Sequence, residues 1–130
     1  MATDDELREA GRDIQGQLWP HLKTAGSTGK FPAAKLAPHF FDHVQRTAFG
    51  DLWARPSLAV RDRSMITCAM LAALGHTEEL KAHLAGALNV GLTTEELVEV
   101  LMQVSVYAGV PAAVSALRVA AEVLPVPEES

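Results

Sequence analysis

A chain of 130 residues has room for one core, and 48% hydrophobic against 21% charged residues sets it among folded chains, not disordered ones. Its net charge of -5, with Lys and Arg dispersed, leaves no basic stripe for nucleic acid and no basic amphipathic helix for a membrane surface. Cys68 is the single cysteine, so neither an intrachain disulfide nor a CxxC redox pair can form. The opening MATDDELREAG is acidic and lacks the apolar centre of a signal peptide. No run approaches the ~20 apolar residues of a spanning helix. A cytoplasmic protein of one domain, residues 1–130, is the expectation.

Asp4 to Trp19 reads as a surface helix with Leu7, Ile14 and Leu18 on one side. Thr24 to Lys30, TAGSTGK, is small and polar and reads as a loop. Its ending resembles a phosphate loop, but Phe31 follows Lys30 where that motif needs Ser or Thr, and no strand precedes it. Pro38 suits a first helical turn, and Phe40, Phe41, Val44, Ala48 and Leu52 then repeat at helical spacing. Pro56 breaks the chain. Arg61 to Leu74 predicts a helix stopped by Gly75, and Thr77 predicts the N-cap of another reaching about Val90. Gly91 ends it. Thr93 and Glu96 then form a capping-box pattern flanked by Leu92 and Leu97, opening a helix to about Ala108. Gly109 and Pro111 separate this from a last helix through Val123, and the tail from Pro125 to Ser130 is expected to fray. Nothing alternates as a strand. The prediction is an all-α protein, a small bundle of about six helices.

AMLAALG, LAGALNVG and VSVYAGVPAAVSALRVAAEVL are apolar around most of their circumference. Helices of that kind are buried on several sides, which in so short a chain implies partner subunits.

Polar groups capable of chemistry gather in the middle of the chain. At 100° per residue His76, Glu79 and His83 share one stripe beside Leu80 and Ala87. The stripe fits a pocket wall, and equally a solvated helix flank with an i,i+4 pair. Histidine titrates near neutrality, and an adjacent carboxylate can fix its tautomer or raise its pKa. Arg61 and Arg63 flank Asp62, either as surface ion pairs or with one guanidinium turned inward as a fork for a carboxylate. Arg55, beside Trp53, is a second candidate anion clamp, while Trp53 itself suits packing as well as ligand contact. Tyr107 offers a hydroxyl to a pocket or a buried, hydrogen-bonded one. Cys68 reads as a small core residue. His39 and His43 have the i,i+4 spacing of metal ligands, but no third ligand or HExxH glutamate lies nearby, so no metal site is expected.

FGDLWARPSL, the RDR triplet, ALGHTEELKAHLAGALNVGLT and YAGVPAA, in that order, resemble the carboxymuconolactone decarboxylase family, in particular its γ-carboxymuconolactone branch. The resemblance covers roughly residues 47–124, and residues 1–35 diverge from it. It implies an alkylhydroperoxidase D-like helical fold and a homo-oligomer, commonly a hexamer of three dimers. It also implies a cofactor-free lyase of aromatic-compound catabolism acting on a small carboxylate or lactone. In the alkylhydroperoxidase D branch a CxxCxxxH motif carries thiol chemistry. Aligned with it, His83 falls on the histidine and His76 and Glu79 on the two cysteines, so peroxidase activity is not expected. The resemblance favours His83 and Glu79 as the acid–base pair and Arg63 as the carboxylate anchor; Arg55, Trp53, His76 and Tyr107 are the further candidates for substrate contact. A related isomerisation, dehydration or cyclisation of another unsaturated or polyketide-like substrate, or a non-catalytic oligomeric ligand-binding role, fits the same residues.

Overall fold

The computed structural model describes residues 1–21 and 32–128; the TAGSTGK segment lies outside them. Among the described residues are seven α-helices, one π-helical segment and no strand. They divide into two units, Met1–Val60 and Arg61–Ser130. No described helix is long and apolar enough to cross a membrane.

In the first unit, α1 (Asp4–Leu18) starts at Thr3, whose hydroxyl accepts from the Glu6 amide at 3.1 Å. Asp4, Asp5 and Glu6 stand at the positive end of the helix dipole. Gly11, Ile14 and Leu18, at i, i+3 and i+7, form its buried face. The short α2 (Pro32–Leu36) was not legible as a separate helix. α3 (Pro38–Val44) begins on its proline, as expected.

The sequence reading runs one α-helix on to Leu52. Instead the backbone widens at Gln45 into a π-helical segment, Gln45–Trp53. α1 lies against it through two glycines: an added Cβ on Gly11 would sit 2.1 Å from the Gln45 carbonyl oxygen, and one on Gly50 2.0 Å from that of Leu7. Polar clasps surround the crossing. Arg8 Nε donates to Asp42 at 2.6 Å, Arg46 Nε donates to the same carboxylate at 2.9 Å, and Gln45 donates to Gln15 at 2.7 Å. The two guanidiniums hold the Asp42 carboxyl well below the usual range. Phe49 stacks on Trp53 at 5.6 Å between ring centroids and meets the edge of Trp19 at 6.1 Å.

The second unit holds α4 (Val60–Leu74), α5 (Thr77–Asn89), α6 (Thr94–Ala108) and α7 (Val110–Val123). Gly75 and Gly91, at φ +76° and +105°, make the turns that follow α4 and α5. The capping box of α6 forms in full: Thr93 Oγ1 accepts from the Glu96 amide and Glu96 accepts from the Thr93 amide, both at 3.0 Å. Leu92 and Leu97 are buried beside it. Glu96 also receives Arg61, so one carboxylate caps α6 and ties it to the start of α4. Thr77 is not the cap of α5. His76 occupies that position without a side-chain hydrogen bond, and Thr77 is already helical.

One core joins all four helices: Cys68 and Ala72 from α4, Leu80, Leu84 and Ala87 from α5, Leu97, Leu101 and Val104 from α6, Ala116, Val119 and Ala120 from α7. Lys81 reaches from α5 to Glu122 on α7 at 3.0 Å. Ser64, one turn before Cys68, is fully buried, and its hydroxyl meets no hydrogen-bond partner among the described residues. An unsatisfied buried hydroxyl destabilises, and alanine is the better helix former. Ser64→Ala is therefore expected to raise stability by about 1 kcal/mol, read as an increase in denaturation midpoint; a loss would mean the hydroxyl has a partner in solution.

Candidate active site

The candidate residues divide between the units. Trp53, the last residue of the π-helical segment, is buried against Phe49, as the packing reading expects, and Arg55 follows it on an exposed turn. Arg63, His76, Glu79, His83 and Tyr107 all belong to the second unit.

Within the first turn of α4 the two arginines have separate roles. Arg61 forms the surface ion pairs, with Asp62 at 3.4 Å and with Glu96. Arg63 is half-buried, and its Nε is screened from solvent. A half-buried guanidinium is well placed to take a carboxylate in fork geometry, since water competes weakly there.

On α5 the stripe is uneven. His76 and Glu79 are exposed, while His83 is half-buried with Nδ1 screened from solvent, flanked by the fully buried Leu80, Leu84 and Ala87. Glu79, one turn earlier, acts on His83 electrostatically and favours its cation. Desolvation outweighs that pull and pushes the imidazole down to about 4, the reverse of the rise a neighbouring carboxylate suggests from sequence. At neutral pH His83 is an uncharged imidazole with a carboxylate beside it.

Tyr107 departs from the buried alternative: it is 84% exposed on α6. It lines an open apolar concavity of ≈ 650 Å³ between α6 and α4, together with Met65, Ile66, Met70, Val100 and Gln103. Neither His83, Glu79 nor Arg63 lines that concavity, so Tyr107 does not share it with the candidate acid–base residues. Glu99 and Gln103 share its rim and were not singled out from sequence; their i, i+4, i+8 spacing with Tyr107 is the signal that marks them.

Cys68 is fully buried, and burial pushes its thiol up to about 12, so it stays protonated and unreactive at neutral pH. His39 and His43 are exposed, and no group of three or more His, Cys, Asp or Glu among the described residues could hold a metal ion.

Residues 38–122 match the model of the carboxymuconolactone decarboxylase family, well over half of the chain. The chain belongs to that family. The match takes in α3 and the whole π-helical segment, so it starts earlier than the sequence motifs alone suggest. Among its relatives, 4-carboxymuconolactone decarboxylase of Acinetobacter baylyi is 43% identical over 84 residues, 65% of this chain and 63% of that protein. Nitrosuccinic acid decarboxylase of Metarhizium robertsii is 33% identical over 76 residues, 58% of this chain and 53% of that protein. The chain thus matches less than two thirds of the length of these curated relatives. As a family member it carries Arg63, Glu79 and His83 inside the matched span, and Trp53, Arg55, His76 and Tyr107 as well.

Proposed function

We propose that this chain is a cofactor-free lyase of the carboxymuconolactone decarboxylase type, acting on an unsaturated lactone or carboxylic acid by loss of CO2 and proton transfer to carbon. The observation that carries the reading is the 43% identity to a named decarboxylase across the span that holds the half-buried Arg63 and His83. The named substrates of the two relatives, a carboxymuconolactone and nitrosuccinic acid, share one chemical feature. Each can carry its own electron acceptor, an unsaturated lactone carbonyl or a nitro group, so the electron pair left by CO2 has somewhere to go without a cofactor.

On this reading Arg63 grips a substrate carboxylate and apolar side chains desolvate the group that departs. The C–C bond to the carboxylate breaks, its electron pair delocalises into the acceptor, and one proton is added at carbon. His83 delivers that proton. A substrate anion beside the imidazole favours its cation, so binding draws a proton onto His83 that the empty site does not hold, and Glu79 stabilises the charge. Solvent restores the proton after turnover. Arg55, Trp53, His76 and Tyr107 are proposed substrate contacts of lower rank. The enzyme is proposed to work in the cytoplasm.

The test is the purified protein with γ-carboxymuconolactone, followed by ultraviolet absorbance and CO2 release, with nitrosuccinic acid as a second substrate. Turnover of either acid supports the reading, and inertness toward both with intact helicity overturns it. Arg63→Ala is expected to raise KM by about 10- to 100-fold with a smaller change in kcat, as loss of a charged hydrogen-bonding anchor does; an unchanged KM removes Arg63 from the site.

One observation favours a second reading. A neutral, half-buried imidazole next to a carboxylate is suited to taking a proton from carbon, which is the opening step of an isomerisation, dehydration or cyclisation. The two readings differ in their dependence on pH, as developed below.

The chain is further proposed to be a homo-oligomer, a hexamer on the family pattern. Ile66, Met70, Val106, Tyr107, Val110 and Val114 are exposed on α4, α6 and α7, the kind of large apolar side chains that a partner subunit covers. Light scattering showing a stable 13.9 kDa monomer at micromolar concentration removes this proposal.

A further inference from the structure

We propose that Glu96 is a positioning residue for substrate: by holding Arg61 it fixes the first turn of α4, and with it the direction in which Arg63 presents its guanidinium. The proposal rests on the reading that Arg63 grips a substrate carboxylate, and adds what aims it.

The start of a helix is weakly held, because its first four amides have no intrahelical acceptor. Arg63 lies in that turn of α4. A fork that binds both oxygens of a carboxylate loses its grip when its plane swings, so an anchor placed there needs a hold from outside the helix. Thr67 Oγ1 donates to the Arg63 carbonyl at 2.8 Å, and Arg61 donates to Asp62 at 3.4 Å, but both bonds stay within α4. The bond from Arg61 to Glu96 leaves it for α6.

Glu96 is a firm point to hold from. Its Oε1 accepts from the Thr93 amide at 3.0 Å, while Oε2 accepts from Arg61. The capping box therefore orients the carboxylate independently of Arg61, which lessens the side-chain ordering that makes most surface ion pairs weak. Leu97, the next residue, is fully buried in the core and keeps the start of α6 in place. Hydrogen bonds from Thr93 and Arg61 hold the Glu96 carboxyl below its usual range, so it is charged at neutral pH.

Helix geometry carries the hold to Arg63. Arg61 heads the stripe that Ser64, Cys68 and Ala72 bury, at i, i+3, i+7 and i+11, and Arg63 leaves α4 about 200° around from it. Any rotation of this turn that frees Arg61 swings Arg63 by the same angle. Lys81 and Glu122, 3.0 Å apart, also join two helices of this unit, but those helices are α5 and α7. They serve as the comparison pair.

Glu96→Gln is the informative variant, because glutamine still accepts at the capping box and only the charge that holds Arg61 is removed. With γ-carboxymuconolactone as substrate, KM is expected to rise about tenfold, with kcat within about twofold of wild type. Arg61→Gln should reproduce that rise from the other side of the pair, with the capping box intact, and Glu122→Gln should leave KM unchanged. In an Arg63→Ala background, adding Glu96→Gln is expected to raise KM no further, since a group that acts through Arg63 has nothing left to position. An unchanged KM in Glu96→Gln, a full further rise in the double variant, or an equal rise in Glu122→Gln overturns the proposal. A second readout needs no turnover. Arg63 Nε is screened from solvent, so its proton, followed by nitrogen-15 NMR, should exchange slowly with water in the wild type and in Glu122→Gln, and faster in Glu96→Gln. Equal exchange in all three also overturns the proposal. If the wild type is inert toward both γ-carboxymuconolactone and nitrosuccinic acid, the decarboxylase reading falls, and the Arg63 signal alone decides whether Glu96 aims that side chain.

Discussion

His83→Ala is expected to lower turnover of the decarboxylase substrate by about 10²-fold or more, the range typical of a positioned acid–base group, while helicity and oligomer size stay at wild-type values. The fold is not expected to depend on the imidazole. Leu80, Leu84 and Ala87 bury the core face of α5, and His83 stands half-buried at its border. Glu79→Gln, which keeps the shape and removes the charge, should fall with it, because the carboxylate favours the cation that must carry the proton. Full turnover in His83→Ala would move the proton donor elsewhere, with the exposed His76 as the next group on the same helix. Tyr107 is a weaker substitute than its sequence position suggests, since it opens onto a concavity that His83 does not line. Unfolding of His83→Ala would make the residue structural.

The pH dependence decides how His83 is used. In the free protein its pKa is about 4, below the ordinary histidine value of 6.5. If the imidazolium delivers a proton, kcat/KM falls about tenfold per pH unit above pH 4, while kcat, which reports the substrate complex, holds to higher pH. If the neutral imidazole abstracts a proton, kcat/KM is flat near neutrality and falls below about pH 4. Stability has a definite sign as well. Because the folded pKa is depressed, the unfolded chain binds more protons between pH 6.5 and 4. The contribution of His83 is complete above pH 6.5 and is lost as pH falls toward 4, with a slope of about 1.4 kcal/mol per pH unit in that window. His83→Gln should flatten that part of the stability profile; an unchanged slope would mean that the imidazole is solvated.

What the sequence reveals and what it hides follow from the range of the interactions. The capping box of α6 is written in four consecutive residues, Thr93 to Glu96, and it forms as read. Gly75 and Gly91 are equally local, and both stand at positive φ after their helices. The π-helical segment is not legible, because widening the turn shifts each hydrogen bond by one residue and leaves the spacing of Phe41, Val44 and Ala48 helical to the eye. His76 in place of Thr77 as the cap of α5 is a shift of the same small size. The site shows the same division. The spacing of Glu79 and His83 places them one turn apart, but the direction of the histidine's pKa is decided by burial, which no spacing encodes. Likewise Arg61 and Arg63 look alike in the triplet, and it is the position of Glu96 on α6 that draws Arg61 into an ion pair between the two helices.

Gly50→Ala is expected to cost about 3 kcal/mol, at the upper end of the overpacking range, and to release α1 from the π-helical segment. Adding a methyl group to a helical glycine ordinarily stabilises by up to about 1 kcal/mol, so the sign of the effect is the test. At Gly50 the new Cβ would stand 2.0 Å from the Leu7 carbonyl oxygen and 2.8 Å from its carbon, and at Gly11 2.1 Å from the oxygen of Gln45. Those obstacles are main chain, with no rotamer to turn aside, so the backbones themselves must separate. Separation also lengthens the Gln45–Gln15 and Arg8–Asp42 hydrogen bonds that clasp the same crossing, and it exposes Ile14 and Leu18 to water. Hydrogen exchange should therefore accelerate across α1 and Gln45–Trp53 in either variant. Gly75→Ala is the control, because nothing lies within 4 Å of its Cβ and the cost comes only from φ +76°, about 1–2 kcal/mol for an L residue there. A neutral or stabilising Gly50→Ala would mean that the two helices do not approach so closely in solution.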